Sequence, residues 1–210
     1  MQKLDLKKEL KYLYQPSAKQ VTVVEVPKFN FIMLDGQIEA GVLPGDSPDY
    51  TNTMGAIYGA AYTLKFTSKL REGNPIDYPV MASEGLWWTL SGDFDFQAKE
   101  PWQYTMMMML PDHITRQDFY GAIAQLKKKK DNPAIDKLRM ESFEEGLCMQ
   151  ITHIGPYAEE TRTLELMARY AARNGYKTRG RHHEIYMGNP QRTKPEKLKT
   201  VLRHPIEKIA

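Results

Sequence analysis

Residues 147–187 read LCMQITHIGPYAEETRTLELMARYAARNGYKTRGRHHEIYM, and the punctuation of that stretch decides the fold. Leu147 to Ile154 is an apolar extended segment that Gly155-Pro156 brings to a stop. A helix follows from about Glu159, and Asn174-Gly175 ends it, the residue pair expected just past a helix C-terminus. Arg181 to Met187 is extended again, and Lys199 to Arg203 supplies one more strand. The order is strand, helix, strand, strand. The first half of the chain repeats it. Val21, Val23, Val24 and Val26, then Phe31-Ile32-Met33-Leu34, favour strands. Thr51 to Lys69 carries Met54, Ile57, Tyr58, Ala61 and Leu64 at helical spacing. Val80 to Leu90 and Tyr104 to Leu110 read as a hairpin around a polar turn, Gly92 to Glu100.

The expected fold class is therefore α+β: two strand-helix-strand-strand repeats with pseudo-twofold symmetry, forming an antiparallel sheet with helices on one face and a central ligand cleft. Residues 1–20 form a charged N-terminal segment of helical pattern, and 21–210 a single domain. Within it, repeat one covers 21–112, a connecting helix 113–142 and repeat two 143–210. Phe119, Ala122, Ile123 and Leu126 mark the apolar side of that helix, with Thr115 as a candidate N-cap.

The 210-residue chain is 41% hydrophobic, enough for a substantial core, and its 29 basic and 26 acidic side chains leave a net charge of only +3. That balance does not argue for nucleic acid, and Lys127-Lys128-Lys129-Lys130 reads as a solvated helix end rather than a phosphate-binding patch. One cysteine, Cys148, excludes an intrachain disulfide and suits a reducing compartment. No secretory or membrane-spanning run is evident, so a cytoplasmic protein is expected.

Alternation along Arg181 to Met187 puts His182, Glu184 and Tyr186 on one face and His183, Ile185 and Met187 on the other. Taking Ile185 and Met187 as the core side sends Glu184 and Tyr186 to the face away from the helices. In the matching strand of the first half, Glu84, Leu86 and Trp88 share one side, Gly85 and Trp87 the other. Two carboxylates, Glu84 and Glu184, thus occupy equivalent strands as candidate proton acceptors. Either Trp87 or Trp88 lines a pocket while the other packs, or both pack. Trp102, Tyr104, Tyr58, Tyr62 and Phe66 are further candidates for an aromatic lining, although the helical stripe Tyr58, Tyr62, Phe66 is also what a core face looks like. Met106 to Met109, with Met108 as the candidate contact, offers either an adaptable wall or core filling. The five histidines lack zinc spacing, and no dinucleotide, phosphate-loop or serine-hydrolase motif occurs, so neither metal nor cofactor is expected.

Glu84-Gly85-Leu86-Trp87-Trp88, His153-Ile154-Gly155-Pro156-Tyr157, His183-Glu184-Ile185-Tyr186 and Pro195-Glu196-Lys197-Leu198-Lys199-Thr200 together resemble the standalone GyrI-like proteins, from about Gln20 to Ile206. The resemblance implies two copies of the repeat around a ligand cleft. It also implies a buried glutamate among aromatics that binds planar or cationic small molecules, with Glu184 and Tyr186 the nearest match. Some standalone members are similar to hydrolases that open the cyclopropane of DNA-alkylating compounds. In that case Glu184 or Glu84 would activate water, and Tyr157 or Tyr186 would steady the developing oxyanion. A non-catalytic drug-binding protein and a gyrase-inhibitor-like partner-binding protein are the other readings. Oligomeric state is open.

Overall fold

The computed structural model describes residues 1–92 and 99–209. Most of the expected turn from Gly92 to Glu100 falls on residues 93–98, outside the described residues. The strands are β1 (Gln2–Lys3), β2 (Thr22–Val26), β3 (Phe29–Ile38), β4 (Ile76–Asp77), β5 (Ser83–Thr89), β6 (Trp102–Leu110), β7 (Arg139–Phe143), β8 (Gly146–Ile154), β9 (Tyr176–Thr178), β10 (His182–Tyr186) and β11 (Lys199–Lys208). The α-helices are α1 (Leu6–Glu9), α2 (Lys11–Tyr14), α3 (Pro48–Lys69), α4 (Arg116–Lys127) and α5 (Thr161–Arg173).

Nine strands form one antiparallel sheet in the order β2-β8-β11-β10-β5-β6-β3-β7, with β9 beside β11. Each half contributes three adjacent strands, β8-β11-β10 and β5-β6-β3, and the halves meet where β10 pairs with β5. β2 and β3 sit near opposite ends of that order, yet only Pro27 and Lys28 separate them in sequence. The three steps from Val26 to Phe29 span no more than about 11 Å, so the sheet is curled until its ends approach each other.

The long helices start where local chemistry dictates. The Ser47 hydroxyl accepts from the Tyr50 N–H at the head of α3, where Pro48 takes the first helical position. Thr115 and Asp118 form a reciprocal capping box on α4. Gly175, at φ +67°, follows the C-cap of α5. α3 and α5 lie on the same face of the sheet, and α4 packs on α3.

The opposite face is covered as well. The N-terminal segment consists of two single helical turns, α1 and α2, rather than one helix, and it is tied down by its own backbone. Arg203 donates to the Leu13 carbonyl at 2.9 Å, Gln150 to the Tyr12 carbonyl at 2.6 Å and Thr152 to the Pro16 carbonyl at 2.8 Å. Leu13 and Tyr14 are buried. With both faces covered, all four methionines from Met106 to Met109 are in the core, as is Cys148.

The connecting segment 113–142 is not one helix. α4 ends at Lys127, a 3-10 turn spans Pro133–Lys137, and β7 then adds to the sheet beside β3. Asn132, at φ −145° and ψ 111°, is extended ahead of Pro133, which keeps the chain from resuming the helix there.

Candidate functional site

The strand pairing at the centre of the molecule sets the site. Glu184 lies opposite Gly85, His182 opposite Trp87 and Tyr186 opposite Ser83, so these side chains share a face. Tyr104, the partner of Trp87 on β6, meets the Thr53 hydroxyl of α3 at 3.1 Å. Two strands away in the other direction, His153 meets the Thr163 hydroxyl of α5 at 2.8 Å. The shared face is therefore the helix-bearing one, and Glu184 and Tyr186 stand between α3 and α5. This corrects the expectation that they point away from the helices. Ile185 does face core, but the core it faces lies on the side covered by the N-terminal segment.

Gly85 shapes the floor. A β-carbon there would fall 2.6 Å from the Trp87 indole nitrogen, so glycine is what lets that ring fold back along its own strand. The indole N–H then donates to the Tyr186 hydroxyl at 2.9 Å. Tyr50 of α3 lies 6.0 Å from Trp87, and Trp102 stands edge-on to it at 6.4 Å. Tyr157, in the turn before α5, is edge-on to Tyr186 at 5.8 Å. Tyr58 of α3 donates to the Ser83 hydroxyl at 3.2 Å and has more than a third of its surface in solvent, which places it at the rim.

The electrostatics converge on Glu184, which is only 6% exposed. Burial and then the Glu184 charge raise the phenols of Tyr50 and Tyr186 well above the tyrosine range, and the same two causes hold Tyr157 at about 12. Glu160 approaches Glu184 from the start of α5. It is fully buried, with its carboxyl group against Glu184 and Thr200. Burial first, and the Glu184 charge second, raise it far above the carboxylate range, so Glu160 carries a proton at neutral pH. His182 Nε2 lies 3.0 Å from Glu184 Oε1. The arrangement is a buried pair of carboxyl groups, Glu184 and Glu160, beside a set of neutral phenols between α3 and α5. It can hold a cationic or polarised group, and it can take a proton and return one.

Glu84 is not part of it. Its partner across the strands is Ile185, and its side chain points to the other face, where it accepts from Tyr14 at 2.6 Å and contacts His183 Nε2 at 3.1 Å. Matching Glu84 to Glu184 is one residue out of register, and a one-residue shift changes the face. The carboxyl that meets Glu184 is Glu160. Trp88 likewise turns away and packs under the Arg181 guanidinium, 3.5 Å from the ring centre. Tyr104 and Met108 are floor residues buried in the core. Tyr62 stacks on Tyr58 at 6.5 Å outside the rim, and Phe66 continues the stripe into solvent.

Sequence reading missed Glu160, Tyr50 and the use of His182. Glu160 sits in an acidic helix start that an ordinary dipole argument explains, and Tyr50 belongs to the first turn of α3, before the stretch with visible periodicity. Glu160, His182 and Glu184 bring donor atoms within 4.8 Å of one another, the one group among the described residues that could hold a metal ion. Two of the three, His182 and Glu184, are already joined by a hydrogen bond.

The chain matches the family model for the GyrI-like small molecule binding domain over residues 19–207. It is similar to a solved but uncharacterized conserved protein from Listeria innocua, at 33% identity over 97% of this chain and 100% of that one, with a TM-score of 0.86. It is also similar to two solved hydrolase structures from Listeria innocua. One is 32% identical over 98% of this chain and 100% of the other, with a TM-score of 0.85. The second is 31% identical over 97% and 100%, with a TM-score of 0.82. No curated protein gives a significant match. No helix among the described residues is long and apolar enough to cross a membrane.

Proposed function

Because the chain belongs to the family of GyrI-like small molecule binding domains, we propose that the cleft between α3 and α5 takes flat aromatic or cationic compounds and hydrolyses those that carry a strained, electrophilic ring such as a cyclopropane. Such an activity would protect the cell that holds the protein from DNA-alkylating compounds. The observation that carries this reading is the buried Glu184 and Glu160 carboxyl pair beside Tyr157, Tyr186 and Trp87, with Glu184 held by His182.

The chemistry follows from that pair. Tyr157, Tyr186 and Trp87 would stack on the flat part of the substrate. Glu184 takes a proton from a water whose oxygen bonds to the strained ring carbon. The carbon–carbon bond breaks, and its electrons pass through the conjugated system to a carbonyl oxygen, to which the Tyr157 hydroxyl donates a hydrogen bond as charge develops. Glu160 gives that oxygen a proton, and the proton on Glu184 passes to Glu160 to restore the pair. One water has been added and nothing oxidised. Ring strain supplies much of the drive, so positioning and one proton donor suffice.

A second reading, a non-catalytic drug-binding protein, is favoured by the hydrogen bond from His182 that already occupies one Glu184 oxygen. A cyclopropane-bearing alkylator incubated with wild-type, Glu184→Gln and Glu160→Gln protein separates the two. Gain of one water mass by the wild type alone supports hydrolysis. Unchanged compound that co-elutes with all three proteins supports binding only.

A further inference from the structure

His153 stands on β8 opposite Thr200 of β11, and Thr200 stands opposite Tyr186 of β10. Its ring is therefore on the helix-bearing face, two strands or about 10 Å from the cleft. It is buried, and both ring nitrogens are engaged: Nε2 lies 3.2 Å from the Pro156 carbonyl and Nδ1 2.8 Å from the Thr163 hydroxyl. A carbonyl oxygen can only accept, so the proton on Nε2 is fixed by its partner. Burial holds the imidazole below its usual range, which leaves Nδ1 bare to accept from the Thr163 hydroxyl.

The two partners bracket one segment, which runs from Pro156 through the 3-10 turn Tyr157–Glu159 to Thr163, the third residue of α5. Tyr157 and Glu160 project from that segment against Tyr186 and Glu184. The other walls of the cleft are held along their length, since β10 is paired on both edges and α3 is a 22-residue helix with a side-chain cap. The head of α5 has no side-chain cap, and an uncapped helix start is prone to fray. Gly155 ties the entry of the segment to the sheet by donating to the Leu198 carbonyl at 3.1 Å. His153 ties the rest.

We propose that His153 is a positioning residue for the cleft: by clamping the Pro156 carbonyl and the Thr163 hydroxyl to β8, it sets Tyr157 and Glu160 against Tyr186 and Glu184. The inference rests on the cleft between α3 and α5 being the ligand site, and it adds the device that holds one wall in place before a ligand arrives. Two neutral hydrogen bonds from a strand-borne ring fix both ends of the segment at once. Without them the head of α5 frays, Tyr157 leaves the face of a bound ring, and ordering the wall again is charged against binding.

The test compares wild type with Thr163→Val, which keeps the side-chain shape and loses the hydroxyl, Thr163→Ser, which keeps the hydroxyl, and His153→Phe. Amide hydrogen exchange at residues 157–163 is read in the ligand-free protein, beside the affinity for a planar cationic dye, ethidium, with Glu184→Gln as the check that the dye sits in the cleft. Thr163→Val is expected to exchange faster over that segment and to bind ethidium about tenfold more weakly, with Thr163→Ser close to wild type in both. His153→Phe should add little to Thr163→Val in the double variant, because either change opens the same clamp; the Thr163 pair decides if the phenylalanine variant does not fold. Wild-type exchange in Thr163→Val, or an equal loss in Thr163→Ser, would overturn the proposal. So would faster exchange with unchanged affinity for a dye that responds to Glu184→Gln. A dye indifferent to Glu184→Gln would sink the reading of the cleft instead, and the exchange comparison would then decide the clamp.

Discussion

Raising the pH from 6.5 to 9 is expected to cost the native protein about 3 kcal/mol through one residue, His183. It lies on the face covered by the N-terminal segment, with Nδ1 at 3.0 Å from Glu145 Oε2 and Nε2 at 3.1 Å from Glu84 Oε2, and Arg203 reaches the same Glu145 oxygen at 3.2 Å. Burial by itself would lower the imidazole. The Glu145 charge and the hydrogen bonds that His183 donates to both carboxylates outweigh that and raise it from 6.5 to about 9, while burial of Glu145 is overcome by His183 and Arg203, which hold that carboxyl at about 2. A group whose native pKa is raised stabilises the fold fully below its unfolded value and loses that contribution as pH climbs through the native value. The window is therefore pH 6.5 to 9, and at about 1.4 kcal/mol per unit the loss is about 3 kcal/mol. Urea unfolding followed by tryptophan fluorescence should show the midpoint falling by about 1 M or more across that window. His183→Gln, which has no such proton, starts less stable and should lose about 3 kcal/mol less than the wild type over the same range, because the raised Glu160 carboxyl lowers both proteins alike. Parallel curves for the two proteins would refute the assignment of a charged His183.

Two further outcomes separate the faces of the sheet. Gly85→Ala should drive the Trp87 indole off its seat, abolish the bond to Tyr186 and weaken binding of a planar cationic dye about tenfold, with a shift in tryptophan emission as the check. Tyr14→Phe removes a buried 2.6 Å hydrogen bond to Glu84 and should cost about 1–3 kcal/mol in urea unfolding, yet leave dye affinity unchanged because Glu84 lies on the other face.

The repeat was legible because its breakers are local: Gly155-Pro156 and Asn174-Gly175 act through backbone geometry that any sequence context preserves. Alternation along β10 was legible for the same reason, and it grouped His182, Glu184 and Tyr186 correctly. Which group faced the helices was not. That assignment assumes one buried face, and β10 is buried on both, with Glu184 at 6% exposure and Ile185 at zero. The partner of Glu184 was hidden for another reason. Glu160 comes from a helix start 24 residues earlier, and its position beside β10 depends on how α5 crosses the sheet. β7 was missed because Arg139–Phe143 is a short edge strand whose exposed Glu141 and Ser142 lack a strand's apolar signature.

The placement of β2 and β7 carries a consequence for the integrity of the chain. β2 leads into the first half but pairs with β8 of the second, and β7 leads into the second half but pairs with β3 of the first. Each half has lent its leading arm to the other, as two subunits do when they exchange segments. A cut between Lys130 and Asp131 would give two pieces that each present an unfilled berth for the other's arm. They would be expected to reassemble as a complementing pair rather than fold apart, and the seam at β5 and β10, which carries Glu184, would form only on reunion.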